Sequence, residues 1–166
     1  MKILIEGPNG GGKSTLVDQL SLKYELNTFH PGPAPLNDSQ ATEMCMHQSL
    51  MYDIIMDRAT CFSRLAYEHP DDLMRSHYNM LLRYCRDMAS DTILILCVSQ
   101  GDFTEKDYYP DGHFERVTKE AELIRCRYLK LFSRFKHFKF DFNLQTLKNV
   151  TDHINKRKEE LNVEAN

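Results

Sequence analysis

The chain has 166 residues, 42% of them hydrophobic and 27% charged, with a formal net charge of -3 and a pI near 6.2. That length suits one domain over residues 1–166 with one core, and the acidic balance argues against a nucleic-acid partner held by a broad basic surface. The five cysteines are scattered, odd in number and form no CxxC pair, which argues against a disulfide framework or a zinc site and fits a reducing cytosol.

Residues 3–5 form a short apolar run ending at Gly7, which reads as a buried strand and is too short for a signal peptide or a membrane span. Cytoplasmic residence is therefore expected. Gly7-Pro8-Asn9-Gly10-Gly11-Gly12-Lys13-Ser14 then matches G-x-x-x-x-G-K-[ST]. In such a loop glycines let the backbone curl so that N–H groups point at phosphate oxygens, and the helix that follows adds the positive end of its dipole. Lys13 can reach the β- and γ-phosphates of ATP, and the Ser14 hydroxyl can ligate magnesium. Helical spacing of Leu16, Val17, Leu20 and Tyr24 supplies that helix.

Residues 27–30 are a weak strand candidate, cut off by Pro31-Gly32-Pro33, and residues 38–51 are ambiguous, with some helical character around Ala41 to Leu50. A second apolar strand is expected over residues 52–56, with Asp57-Arg58 just beyond its end. In an open parallel sheet that end faces the ligand crevice. Asp57 there can hold magnesium through water or bond a sugar hydroxyl, and Arg58 can fork onto an acceptor phosphate. A short helix around residues 61–67 follows, and Asp71 or Asp72 is placed to cap the next helix, which carries Leu73, Met74, Tyr78, Leu81, Leu82 and Cys85.

The continuously apolar run over residues 92–98 reads as a strand covered on both faces. A polar stretch leads to a helix marked by Val117, Ala121, Ile124, Tyr128, Leu131 and Phe135, then a strand over 137–142 and a C-terminal helix through Leu147, Val150, Ile154 and Leu161. Strands alternating with helices imply a three-layer α/β fold around a parallel sheet.

Glu6-Gly7-Pro8-Asn9-Gly10-Gly11-Gly12-Lys13-Ser14-Thr15 resembles the E-G-x-D-G-x-G-K-S-T start of thymidylate kinases, and Asp57-Arg58 with Ser63 and Tyr67 resembles that family's D-R segment. Small phage-type deoxynucleoside monophosphate kinases share this look. The resemblance implies the P-loop NTPase fold with five parallel strands and a lid at about residues 100–116. It also implies ATP and magnesium as cofactors and a nucleoside monophosphate as acceptor. Phosphate contacts would come from residues 7–15 with Thr15 included, magnesium contacts from Ser14 and Asp57, and catalysis from Lys13, Arg58 and the lid's Arg116. Asn9 stands where the family has Asp, and His30-Pro31-Gly32-Pro33 replaces its R-E-P-G-G segment, so the acceptor is not fixed as thymidylate. The alternatives are a deoxynucleoside kinase, with Asp57 as base, and a polynucleotide-end kinase. A guanine-nucleotide switch lacks its N-K-x-D signature here, since Asn155-Lys156 is followed by Arg157-Lys158. A homodimer is left open.

Overall fold

The computed structural model describes residues 1–99 and 119–164. The lid expected at 100–116, with Arg116, lies outside the described residues. A five-stranded parallel sheet runs in the order β2-β3-β1-β4-β5, built from β1 (Lys2–Glu6), β2 (Asn27–Phe29), β3 (Ile54–Asp57), β4 (Ile93–Cys97) and β5 (Phe138–Phe140). Both β1 and β4 are buried along their whole length; the apolar runs 3–5 and 93–97 demand this, and the charged ends of β1, Lys2 and Glu6, are buried with them.

Alternation along the strands feeds two cores. Ile3, Ile5, Ile55, Ile93 and Ile95 pack on one face with Leu16, Val17 and Leu20 of α1 (Lys13–Tyr24) and Val150 and Ile154 of α6 (Leu147–Glu164). Leu4, Met56, Leu94 and Leu96 pack on the other. There they meet α2 (Asp38–Ser49), α3 (Thr60–Tyr67), α4 (Arg75–Asp91) and α5 (Ala121–Phe132). Layering of helices on both faces is the expected architecture. The strand order turns back at β1, so the crevice beyond β1, β3 and β4 is where such a sheet binds ligands.

Several elements differ from expectation. The second strand begins at Ile54, two residues late, and includes Asp57 as its last residue. Asp53 stands at φ 48, its carboxylate bonded to the Met1 ammonium, so Tyr52 and Asp53 form a turn and Tyr52 is exposed. Neither Asp71 nor Asp72 caps α4. They lie in the 3-10 turn Pro70–Asp72, while Leu73 is buried and α4 starts behind Met74 without a side-chain cap. α5 stops at Phe132, where Phe135 N–H turns back to the Phe132 carbonyl at 2.9 Å. Ala121 is exposed rather than on the buried stripe. The last strand ends at Phe140, so Phe142 lies beyond it and its ring covers Gly12. The ambiguous stretch 38–51 is helical over Asp38–Ser49, fixed by Asn37, whose side chain accepts the Gln40 N–H at 2.9 Å.

Candidate active site

The phosphate loop leaves β1 at Glu6 and enters α1 at Lys13, with Gly7, Gly10 and Gly12 all at positive φ. Gly7 is pressed against β4: a Cβ there would lie 2.2 Å from the Cys97 carbonyl oxygen. At Gly12 it would lie 2.8 Å from the Phe142 ring. The loop is thus wedged between the sheet and the β5–α6 turn. Gly12 caps α1 with no side-chain bond, and the first turn carries no acidic residue. An uncapped N-terminus with this polarity is an anion site. Ser14 and Thr15 are exposed at its mouth, whereas Lys13 is buried and folds back, its Nζ donating to the Pro8 carbonyl at 2.8 Å. Burial pushes the Lys13 ammonium pKa down, and Asp57 is the chief opposing influence.

Asp57 ends β3 in parallel register with Ile5, and the Arg58 N–H continues the pairing to the Ile5 carbonyl at 3.0 Å. Arg58 itself stands at φ 71, an uncommon conformation for a side-chain-bearing residue and a frequent mark of functional turns. The Asp57 carboxylate is divided in its contacts. Oδ2 meets His30 Nδ1 at 3.2 Å, while buried Oδ1 makes no hydrogen bond. The Arg58 Nε is likewise buried without a hydrogen bond, 3.9 Å from Asp57 Oδ1. Two unsatisfied groups of opposite kind, too far apart to bond, fit a ligand or water between them.

His30 is a site residue that sequence spacing missed. Pairing of Phe29 with Met56 carries it beside Asp57. Tyr67 also joins the loop: Asn9 N–H donates to its hydroxyl at 3.1 Å, and the hydroxyl donates to Asn9 Oδ1 at 3.0 Å. A cavity of about 350 Å³ opens here. Asn9 and Arg58 border it near the phosphate loop, α3 forms one wall, and the proline-rich segment 31–35 faces it. Arg75 and Arg83 are exposed and take no part in its lining. Among the described residues no cluster of three or more His, Cys, Asp or Glu side chains could hold a metal ion by itself. None of their helices is long and apolar enough to cross a membrane.

Glu6, the last residue of β1, is fully buried. Its Oε1 accepts the Ala59 N–H at 2.5 Å and its Oε2 the Tyr128 hydroxyl at 2.9 Å. Ala59 is the N-cap of α3 and follows Arg58, so the carboxylate ties the phosphate loop's root to the Asp57-Arg58 turn and to α5. Burial raises the Glu6 pKa from 4.5 to about 7, against the two donors and the nearby Lys13 and Arg58. A carboxyl raised on folding stabilises the fold fully below its unfolded value, and the contribution is lost as pH climbs through 7. From pH 5 to pH 8 this group should lower the unfolding free energy by about 3 kcal/mol. Glu6→Gln should flatten that slope, read from urea unfolding at the two pH values; an unchanged slope would place the charge elsewhere.

No family model matches the chain, and no curated protein matches it in sequence. Solved structures do resemble it. The YorR protein from Bacillus subtilis, in complex with phosphorylated GDP, superposes at a TM-score of 0.69 with 17% identity, over 96% of each chain. Deoxyadenosine kinase from M. mycoides, with bound dCTP, gives 0.52 and 17% over 96% of this chain and 100% of that one. Thymidylate kinase from Candida albicans gives 0.55 and 14% over 95% and 90% respectively. These likenesses establish the fold of the P-loop kinases, in agreement with the sheet order and the glycine loop.

Proposed function

We propose that this protein is an ATP-dependent kinase of nucleoside monophosphates, thymidylate kinase-like in design, moving the γ-phosphate of ATP onto a nucleotide 5′-phosphate. The observation that carries this reading is Arg58. Its Nε is buried without a hydrogen bond, its turn is left-handed, and it borders the cavity beside the phosphate loop. An anionic acceptor would satisfy that donor and meet the transferring group at the crevice.

ATP phosphates would lie over residues 7–15, against the α1 N-terminus and Lys13. Ser14 and the unbonded Asp57 Oδ1 fit magnesium, which would neutralise phosphate charge during transfer. The acceptor phosphate is already an anion, so no strong base is needed. Alignment and charge neutralisation do the work.

A deoxynucleoside kinase is the second reading. Asp57, backed by His30 at 3.2 Å, could serve there as base for a sugar hydroxyl. The likeness to a deoxyadenosine kinase keeps this reading in play. Comparing kcat/KM of each deoxynucleoside with its own 5′-monophosphate separates the two. The monophosphate is expected to be preferred at least tenfold, since a charged bidentate contact contributes about 1.5–3 kcal/mol. Arg58→Ala should remove most of that preference. Better turnover of any free nucleoside than of every monophosphate would transfer the assignment to the second reading.

A further inference from the structure

Asp57 and Arg58 are neighbours of opposite charge that do not bond. Asp57 Oδ1 and Arg58 Nε are both buried without a hydrogen bond and stand 3.9 Å apart, within attraction but beyond bonding distance. Closing that gap would satisfy both atoms at once, so each must be held back. Arg58 is held by its backbone, left-handed at φ 71 with its N–H tied to the Ile5 carbonyl. Asp57 is held by His30, whose Nδ1 lies 3.2 Å from Oδ2. A carboxylate only accepts, so the shared hydrogen sits on Nδ1.

Sheet register puts His30 there. Phe29 pairs with Met56, and both pack in the core that lies against α3 and α4. Side chains alternate along a strand, so the next residues on each, His30 and Asp57, turn to the opposite side. That side carries α1, whose first residue, Lys13, is influenced chiefly by Asp57 among nearby charges. Pro31 follows His30 directly and restricts its backbone to extended conformations, which limits where the ring can go. The His30 side chain is 51% exposed against 9% for Asp57, so its ring contributes little to the core and remains available for this one bond.

We propose that His30 is a positioning residue for magnesium: by occupying Asp57 Oδ2 it keeps the carboxylate from collapsing onto Arg58 and leaves Oδ1 for the metal or for water bound to it. This rests on the reading of Asp57 as a magnesium-side residue of the proposed kinase. Without His30 the carboxylate is free to turn about its last bond and meet the Arg58 guanidinium. That pair would consume the metal's oxygen and the acceptor's donor together. Partners that orient a metal-side carboxylate through its other oxygen typically matter about 10–100-fold in metal affinity.

The test titrates the full chain calorimetrically with the β,γ-imido analogue of ATP, once with saturating magnesium and once with EDTA. The ratio of the two affinities is the metal's contribution. His30→Ala should lower that ratio about tenfold. His30→Asn, whose carboxamide N–H stands where the Nδ1–H stood, should restore most of it. In an Asp57→Asn background, His30→Ala should change the ratio no further, because the two residues act as one unit. A merely structural role would weaken binding equally with and without metal and leave the ratio standing, which overturns the proposal. An Asn variant as poor as the Ala variant does so too. No acceptor is present in this experiment, so its result is separable from transfer. A His30-dependent ratio without phosphorylation of any nucleoside monophosphate upholds the positioning and sinks the kinase reading. Phosphorylation with a ratio indifferent to His30 does the reverse.

Discussion

Lys13→Ala is expected to reduce phosphoryl transfer by roughly 10³-fold, the scale of losing one preorganised charge contact to the transferring group. Stability should not follow. Lys13 is 8% exposed and desolvation pushes its ammonium pKa down, so the folded protein already disfavours this charge. What the fold loses is its bond to the Pro8 carbonyl and its opposition to Asp57 and Glu6. These losses and the relieved desolvation act in opposite directions, and the melting temperature should stay within a few degrees of wild type. A variant that retains more than a tenth of wild-type turnover would remove Lys13, and with it the phosphate-loop assignment, from the chemistry.

The part of this site that is legible in sequence is the part whose geometry is local. Gly7 to Ser14 sit within eight residues, and a strand before them and a helix after them fix how they curl. That stretch therefore carries its own structural context. Asp57-Arg58 is legible as a strand end, although the strand itself is shifted because Asp53 turns to meet the N-terminus. Contacts set by register are not legible. His30 reaches Asp57 because β2 pairs with β3, and Tyr67 reaches Asn9 because α3 packs beside the loop. Glu6 is hidden for a different reason. A glutamate at a strand end reads as solvated, and its burial depends on donors 53 and 122 positions away in the chain. That Ser63, Arg64 and Tyr67 of α3 line a cavity is not legible either, because it follows from the placement of residues 31–35 opposite them.

Gly7→Ala should be the most destabilising single substitution in the loop. Its φ of 142 is one that residues with side chains rarely adopt. The added Cβ would also sit 2.2 Å from the Cys97 carbonyl oxygen and 3.1 Å from its carbon. Those atoms belong to the backbone of β4, which is hydrogen-bonded on both sides, to β1 and to β5, and so cannot step aside as a flexible side chain would. Backbone strain and overpacking together amount to roughly 3–5 kcal/mol, which corresponds to about 10 °C or more in melting temperature for a chain of this size. Gly32→Ala provides the contrast, because a Cβ there meets nothing within 4 Å. Its melting temperature should stay close to wild type, so the comparison isolates the backbone clash from the general effect of replacing a glycine. Thermal unfolding followed by circular dichroism reads both variants. If Gly7→Ala melts within about 2 °C of wild type, β4 does not hold the loop as closely as the 2.2 Å approach requires.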